Sequence, residues 1–439
     1  MGAIYRALKV RLYPNEEQQI LINKTLGCSR FIYNIMLEER IQVYSELKDE
    51  KRELFEYKHK TEKEYKSEFE WLSEVDSDAL QQSRLNLTRA YTNFFNSLKG
   101  IRKGQRIGFP HFKKKSGHAS YKTLNRKGTI RFDISNRKLK IPKLGWVTFR
   151  NEKEIFGIIK SAVISKTPTG KYFAFVLFEQ ELDLDGVEIR EDMKIIGLDM
   201  SMQNFYVDNL GNSPDYQKPF RSNQKKLAHY QRKLVKKSRV KHFTGEKTKT
   251  GKDQYYCTFS KNYEKTRLKV AKVHEKIANS RKDFVHKLST KLVKENDVIV
   301  VENLSLKGMA QGLKLGKSVM DLGYSDFIRQ LEYKALWANK TFLRADRWFA
   351  SSKTCNFCGF KKKDLLLQER EWDCPNCGEH HLRDVNAGIN LKNYGMKEIG
   401  LKQPEFKSVE IKSSDCQLAM IGNQDLSVKQ KARKSLVSG

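Results

Sequence analysis

Four cysteines stand in two C-x-x-C pairs, Cys355/Cys358 and Cys374/Cys377, with fifteen residues between the pairs. That spacing brings four thiolates to one ion at tetrahedral angles, and Gly359 and Gly378, directly after each pair, allow the tight turn. Four thiolates close the coordination shell and leave no position for a reactive water, so the implied ion is a structural Zn2+. It would fold a segment too small to hold itself together. Two redox-active pairs are the other reading of the spacing, and His380 and His381 are spare nitrogen ligands. Cys28, Cys257 and Cys416 are scattered and expected to be inert. This usage fits a reducing compartment better than a disulfide framework.

Three acids stand out by their settings. Asp199 closes the apolar run Lys194–Met200, Glu302 follows Val298-Ile299-Val300-Val301, and Asp384 begins a helical pattern seven residues after Cys377. A carboxylate at the end of a buried strand is costly unless it binds something. Three converging would repel one another and call for cations. Two Mg2+ ions, with Mn2+ as a substitute, would then activate water and stabilise the leaving oxygen in phosphodiester hydrolysis. Singly, each acid has a plainer role: Asp199 as a turn cap, Glu302 as a lysine partner, Asp384 as an N-cap. Together, in a basic chain, they point to a nuclease of the RNase H type.

The rest of the chain must position these groups. Its 439 residues carry 84 Lys+Arg against 52 Asp+Glu, a formal charge of +32. An excess of that size calls for a polyanionic partner, with nucleic acid first. Hydrophobic residues at 39% suffice for real cores, and the length suits two or three domains at about 150 residues each. No run of about 18 apolar residues exists to span a membrane, and residues 1–6 lack a signal-peptide pattern, so a cytoplasmic protein is expected.

Residues 3–13 alternate as a strand, and 16 to about 99 show helical spacing, with an N-cap at Asp76 or Ser77. Short strands follow over 129–182, so a small β-barrel or sheet is expected, formed with the first strand and interrupted by the helical module. From about 190 come a buried strand to Asp199, a second strand at 205–208, and long basic helices over 222–239 and 262–296. A polar loop at 240–257, a strand to Glu302, a helix at 324–339 and a strand at 340–350 complete that region. A short helix over Asp384–Leu391 and a polar tail over 396–439 end the chain. Lys113, Lys114 and Lys115, and Lys225, Lys226, Arg232, Lys233, Lys236, Lys237 and Arg239, are the expected nucleic-acid contacts. Phe109, Phe112 and Trp146 are expected to pack in cores more than to stack on bases.

The segments GLDMSMQNFYVDNLGN (197–212), VVENLSLKGM (300–309), SSKTCNFCGF (351–360) and REWDCPNCGEHHLRDVNAGINL (370–391) resemble the TnpB family. These proteins accompany IS200/IS605-type transposons and are similar to the small type V Cas12 effectors. YRALKVRLYPNEEQQ (5–19) and GFPHFKKK (108–115) extend the resemblance over nearly the whole chain. It implies an α/β multidomain protein with a split RNase H-like (RuvC-like) nuclease domain at 191–350 and 379–395, and a zinc ribbon inserted at 351–378. A β-barrel wedge domain (1–15 and 105–190), a helical recognition domain (16–104) and a flexible tail (396–439) would complete it. The implied activity is RNA-guided DNA cleavage, with Asp199, Glu302 and Asp384 as the catalytic triad and Cys355, Cys358, Cys374 and Cys377 on zinc. The implied partners are a guide RNA from the transposon end and double-stranded target DNA bearing a short adjacent motif, with one RNA per monomer. Met200-Ser201 departs from the Leu-Gly common in the family, as does Leu382; neither removes a triad acid. Three other readings share the scaffold or the core: a nuclease-inactive RNA-guided repressor, a DNA transposase performing strand transfer, and a junction resolvase.

Overall fold

The computed structural model describes residues 2–102, 104–115, 119–150, 157–182, 189–190, 192–237, 239–247, 253–311, 316–366 and 368–401. They form two compact units that divide after Leu182. No described helix is long and apolar enough to cross a membrane.

In the first unit, β1 (Gly2–Tyr13) is followed by α1 (Glu16–Leu47), α2 (Lys51–Glu56), α3 (Glu62–Glu68) and α4 (Ser77–Leu98). Pro14 stops the strand, and Asn15 starts α1 through a capping box with Gln18. Asp76 caps α4 by accepting from Asp78 N. Ile32, Leu37, Leu72, Leu80 and Leu87 form the helical core. The chain then makes β2 (Ala119–Leu124), β3 (Arg131–Asp133), β4 (Lys138–Ile141), β5 (Gly145–Arg150), β6 (Ile158–Lys166) and β7 (Tyr172–Leu182). With β1 these form one antiparallel sheet in the order β2-β6-β7-β1-β5-β4-β3. The helices are therefore an insertion between the first and second strands, as the sequence predicts. The sheet rolls up: Phe132 of the edge strand β3 stacks on Phe178 of β7, four places away in the order, with ring centroids 6.0 Å apart. The two edge strands are not hydrogen-bonded to each other, which leaves a half-barrel. Val10, Leu12, Val147, Ile164 and Val176 fill it, together with Ile22 and Leu26 of α1 and Ala79 of α4.

In the second unit, β8 (Ile195–Ser201) and β9 (Phe205–Asp208) form a hairpin. Then come α5 (Pro219–Val235), β10 (Arg239–Lys247), β11 (Asp253–Phe259), α6 (Lys261–Glu295) and β12 (Val298–Val301). After these follow α7 (Leu306–Gln311), α8 (Gly316–Leu322), α9 (Tyr324–Trp337), β13 (Thr341–Arg344), β14 (Glu371–Asp373), β15 (His380–Leu382) and α10 (Arg383–Leu401). The central sheet runs β13-β12-β8-β9, its first three strands parallel and β9 antiparallel. Helices cover both faces, so the strands are apolar on both. Leu198, Ile299 and Val301 pack with Val285 and Leu292 of α6 and with Phe327 and Leu331 of α9. Val298 and Val300 pack with Leu391 and Ile399 of α10.

The second of these faces is unusually close. A Cβ built on Gly197 of β8 would lie 2.2 Å from Gly388 O and 2.5 Å from Lys392 N; one on Gly388 would lie 2.8 Å from Asn209 N. Gly395, one heptad further along α10, meets the side chain of Val300 instead: a Cβ there would lie 2.4 Å from Val300 Cγ2. At Gly197 and Gly388, helix and sheet meet backbone to backbone, which only glycine permits. At the hairpin tip Phe205 adopts φ of +73°, a strained value for a ring-bearing residue. It is held by complete burial among Tyr216, Phe284, Tyr324 and Phe327, and Tyr324 Oη donates to Ser201 O and Phe205 O.

Three expectations need correction. The polar loop at 240–257 is instead a β10–β11 hairpin, Phe243 facing Tyr255 across it. The first basic helix ends at Val235, and Arg239 opens β10. The short helix at Asp384–Leu391 is the 19-residue α10, which takes in 396–401 of the expected tail; 402–439 lie outside the described residues.

Overpacking should cost Gly388→Ala about 1–3 kcal/mol. Gly400→Ala, on the same helix with no atom within 4 Å of its added methyl, should be neutral or stabilising by up to about 1 kcal/mol. Thermal melting of the two variants beside the parent checks both.

Candidate metal centres

Each C-x-x-C pair sits in a knuckle. Cys355 N donates to Phe360 O and Gly359 N to Cys355 O; Cys374 N donates to Glu379 O and Gly378 N to Cys374 O. The glycines take φ of +75° and +77°, which the left-handed turn requires. The second knuckle joins β14 to β15. The four Sγ atoms lie within 4.8 Å of one another, with Cys355–Cys377 at 3.7 Å and Cys358–Cys374 at 3.6 Å. Zn–S bonds of about 2.3 Å at tetrahedral angles require about 3.8 Å between sulfurs, so the residues fit Zn2+. His381 is not a fifth member: its Nε2 lies 3.0 Å from Cys355 Sγ, and its ring packs on Trp372. A neutral imidazole there can donate to the thiolate and orient it. His380 instead lies 2.7 Å from Asp373 Oδ1.

The carboxylates follow from strand arithmetic. Ile195 of β8 packs on the α10 side of the sheet and Leu198 on the other, so period two turns Asp199 toward α10. Val298 and Val300 face α10 as well, and the same period brings Glu302 to that side. The register pairs Val300 with Gly197 and Val301 with Leu198; one step further sets Glu302 beside Asp199. Asp384 occupies the first turn of α10, four residues before Gly388. Asp199 is 8% exposed. Desolvation, then the negative charges of Glu302 and Asp384 and a hydrogen bond with Glu302, push its pKa well above the usual carboxylate range; Arg383 opposes the shift. Among the described residues only the four cysteines bring three or more ligand atoms within 4.8 Å of one another, so the three acids do not all close on one point, although Asp199 and Glu302 share a hydrogen bond. A buried acid raised by two neighbouring acids is the donor chemistry that Mg2+ or Mn2+ relieves.

Other groups at the centre gave no sequence signal. Ser351 Oγ donates to Glu302 Oε1 at 2.6 Å. Arg370 Nη1 lies 3.5 Å from Asp384 Oδ1. Asn386 and Asn390 of α10, both buried, donate to Thr354 O at 2.8 and 2.6 Å, and Asn390 also donates to Ser351 O at 2.8 Å. Serines and asparagines are common enough that only the folded contacts single these out.

The expected nucleic-acid contacts are mostly exposed. Lys225, Lys226, Arg232, Lys233 and Lys236 stand out from α5 and its end, Lys237 is half-buried, and Lys114 and Lys115 are exposed. Lys113 is exposed as a residue, but its ammonium lies 4.0 Å from the centroid of Tyr33, and desolvation pulls its pKa to about 8. Its backbone pairs in both directions with the Asn34 side chain. The side chain of Arg239 lies outside the described residues. The expectation that Phe109, Phe112 and Trp146 pack in cores fails: they are 41%, 49% and 44% exposed. Phe109 still clips its loop to α4 by edge-on contacts with Tyr91 and Phe94.

Two outcomes test the centres. Cys377→Ser should lower zinc content from about one ion per chain to a small fraction and increase proteolysis within 354–382, measured by metal analysis and limited digestion. For Asp199, a pKa raised above its unfolded value supplies stability below the unfolded pKa that is lost as pH rises through the folded one. In EDTA, Asp199→Asn should therefore melt higher than the parent at pH 8, with the gap closing as pH falls.

Sequence comparison adds kinship. Residues 181–312 match a family described as "Probable transposase", 324–391 the "Cas12f1-like, TNB domain" and 1–49 a "Helix-turn-helix domain". The last span is here a strand and one long helix. A Streptomyces pristinaespiralis protein named "Putative RNA-guided DNA endonuclease" is 30% identical over 90% of each chain. "Putative RNA-guided DNA endonuclease InsQ" of Escherichia coli K12 is 28% identical over 88% of this chain and 91% of its own. The solved Cas12f1–sgRNA–target DNA complex matches at a TM-score of 0.47 and 13% identity, covering 89% of this chain and 99% of that one. The kinship at 30% identity across nine-tenths of both sequences makes this chain a member of the TnpB family.

Proposed function

We propose that the chain is an RNA-guided DNA endonuclease, in which Asp199, Glu302 and Asp384 carry Mg2+-dependent phosphodiester hydrolysis. The observation that carries this reading is the convergence of three acids from distant segments on one face of the β8–β12 pair, with the Asp199 pKa driven up by burial and then by the charges of the other two. The strand order, with an antiparallel hairpin partner beside a parallel core, supports an RNase H-like (RuvC-like) domain split by the zinc ribbon. The names of the relatives support RNA guidance.

On this reading the three carboxylates hold the divalent ions, which supply a polarised water and charge neutralisation at the leaving oxygen. Asp199, buried and repelled by its neighbours, is the group most in need of a cation. The half-barrel and helical modules serve as wedge and recognition domains, and exposed α5 lysines and arginines grip the guide–target hybrid by its backbone. The protein works as a monomer with one guide RNA transcribed from the transposon end. A repressor descended from a nuclease has reason to have lost an acid, and all three remain. Strand transfer, in keeping with the description of 181–312, is the second reading.

The test is to co-express the chain with its flanking DNA, sequence the bound RNA, and assay cleavage of matched duplex. One discrete RNA with a constant scaffold and a variable end, and Mg2+-dependent cutting that Asp199→Ala reduces to background while RNA retention holds, is expected. A heterogeneous smear released by salt would overturn guidance; undiminished cutting by Asp199→Ala would overturn the site.

A further inference from the structure

The zinc module reaches the carboxylate centre at two points, Arg370 beside Asp384 at 3.5 Å and, more closely, Ser351 on Glu302. Ser351 lies four residues before the first zinc cysteine and is 3% exposed. Its Oγ donates to Glu302 Oε1 at 2.6 Å. A serine hydroxyl has one proton to give, and here it goes to one oxygen of a two-oxygen carboxylate, leaving the other free of that bond.

The backbone around Ser351 is itself held. Asn390 Nδ2 donates to Ser351 O at 2.8 Å and to Thr354 O at 2.6 Å. Asn386 Nδ2 donates to Thr354 O at 2.8 Å, and its Oδ1 accepts from Asn356 N at 3.0 Å. Asn386 and Asn390 are one turn apart on α10, so they present one face. Asp384 lies on the same helix, two residues before Asn386. The turn that carries Ser351 is therefore bolted to the helix that carries Asp384, while its hydroxyl holds Glu302.

We propose that Ser351 is a positioning residue for divalent-metal binding at the carboxylate centre. It fixes the rotamer of Glu302 from the first turn of the zinc module, so that two of the three acids are set by one rigid insert. The proposal rests on the carboxylate reading above. Without the hydroxyl, Glu302 loses a charge-assisted bond and gains rotamer freedom that metal binding must then remove. Loss of a hydrogen bond that orients a metal ligand typically weakens metal affinity by 10–100-fold.

The experiment titrates Mn2+ into the full-length, zinc-loaded protein with its bound RNA and follows free Mn2+ by electron paramagnetic resonance. Glu302→Gln, measured beside the parent, defines the share of binding that belongs to the carboxylate centre. Ser351→Ala should raise the Mn2+ midpoint of that share at least about tenfold, with zinc content and melting temperature unchanged. Ser351→Thr, which keeps the hydroxyl, should return it to within about threefold. Added to Glu302→Gln, Ser351→Ala should change nothing further. A parental midpoint in Ser351→Ala, a failure of threonine to restore it, or loss of zinc in Ser351→Ala would each overturn the positioning role. If Glu302→Gln itself leaves Mn2+ binding intact, the carboxylate reading falls and the proposal falls with it.

Discussion

The arrangement of the second unit depends on one close approach, that of α10 onto β8. Two glycines, Gly197 and Gly388, let a helix backbone lie against a strand backbone with no side chain between. Asp199 stands two residues beyond the first glycine, and Asp384 four residues before the second. The distance between two of the acids is thus set by backbone contact, the least compliant kind a protein has. Gly395, a heptad later, makes room for the side chain of Val300 on the strand that leads to Glu302. Burial first, and then the charges of Glu302 and Asp384, make Asp199 reluctant to ionise.

Much of this was legible in the sequence, for reasons that can be named. The cysteine spacing is a chemical constraint independent of fold, and it gave the knuckles directly. The acids were legible because an apolar strand ending in a carboxylate is costly. The helical insertion in the half-barrel showed as a change of period from two to 3.6 and back. What stayed hidden depends on distant segments meeting. Ser351, Asn386 and Asn390 carry no pattern of their own, and their roles exist only because β12, the zinc turn and α10 converge. The β10–β11 hairpin was hidden by composition, since lysine, threonine and glycine dilute the alternation of its few rings. The second half of α10 was hidden because Gly395 and Gly400 depress helix propensity, although Gly395 is there to let the helix touch the sheet.

The two candidate metal centres differ in their donor chemistry. Thiolates packed at 3.6–3.7 Å suit an ion that stays. Carboxylates, one of them buried and proton-loving, are donors for a harder divalent ion, as the proposed function requires. The asparagine pair on α10 and Ser351 join the segment before the cysteine cluster to the carboxylates.

The order of the acids along the chain has a further consequence. Asp199 and Asp384 are 384 − 199 = 185 residues apart, and the helix that seats the second is the last described element. A nascent chain that has emerged only through Glu302 holds two of the acids and neither the zinc turn nor α10. Non-local closure of this kind comes late in folding. Synthesis therefore sets the order of assembly: the ribosome must deliver the chain through α10 before Asp199, Glu302 and Asp384 can come together.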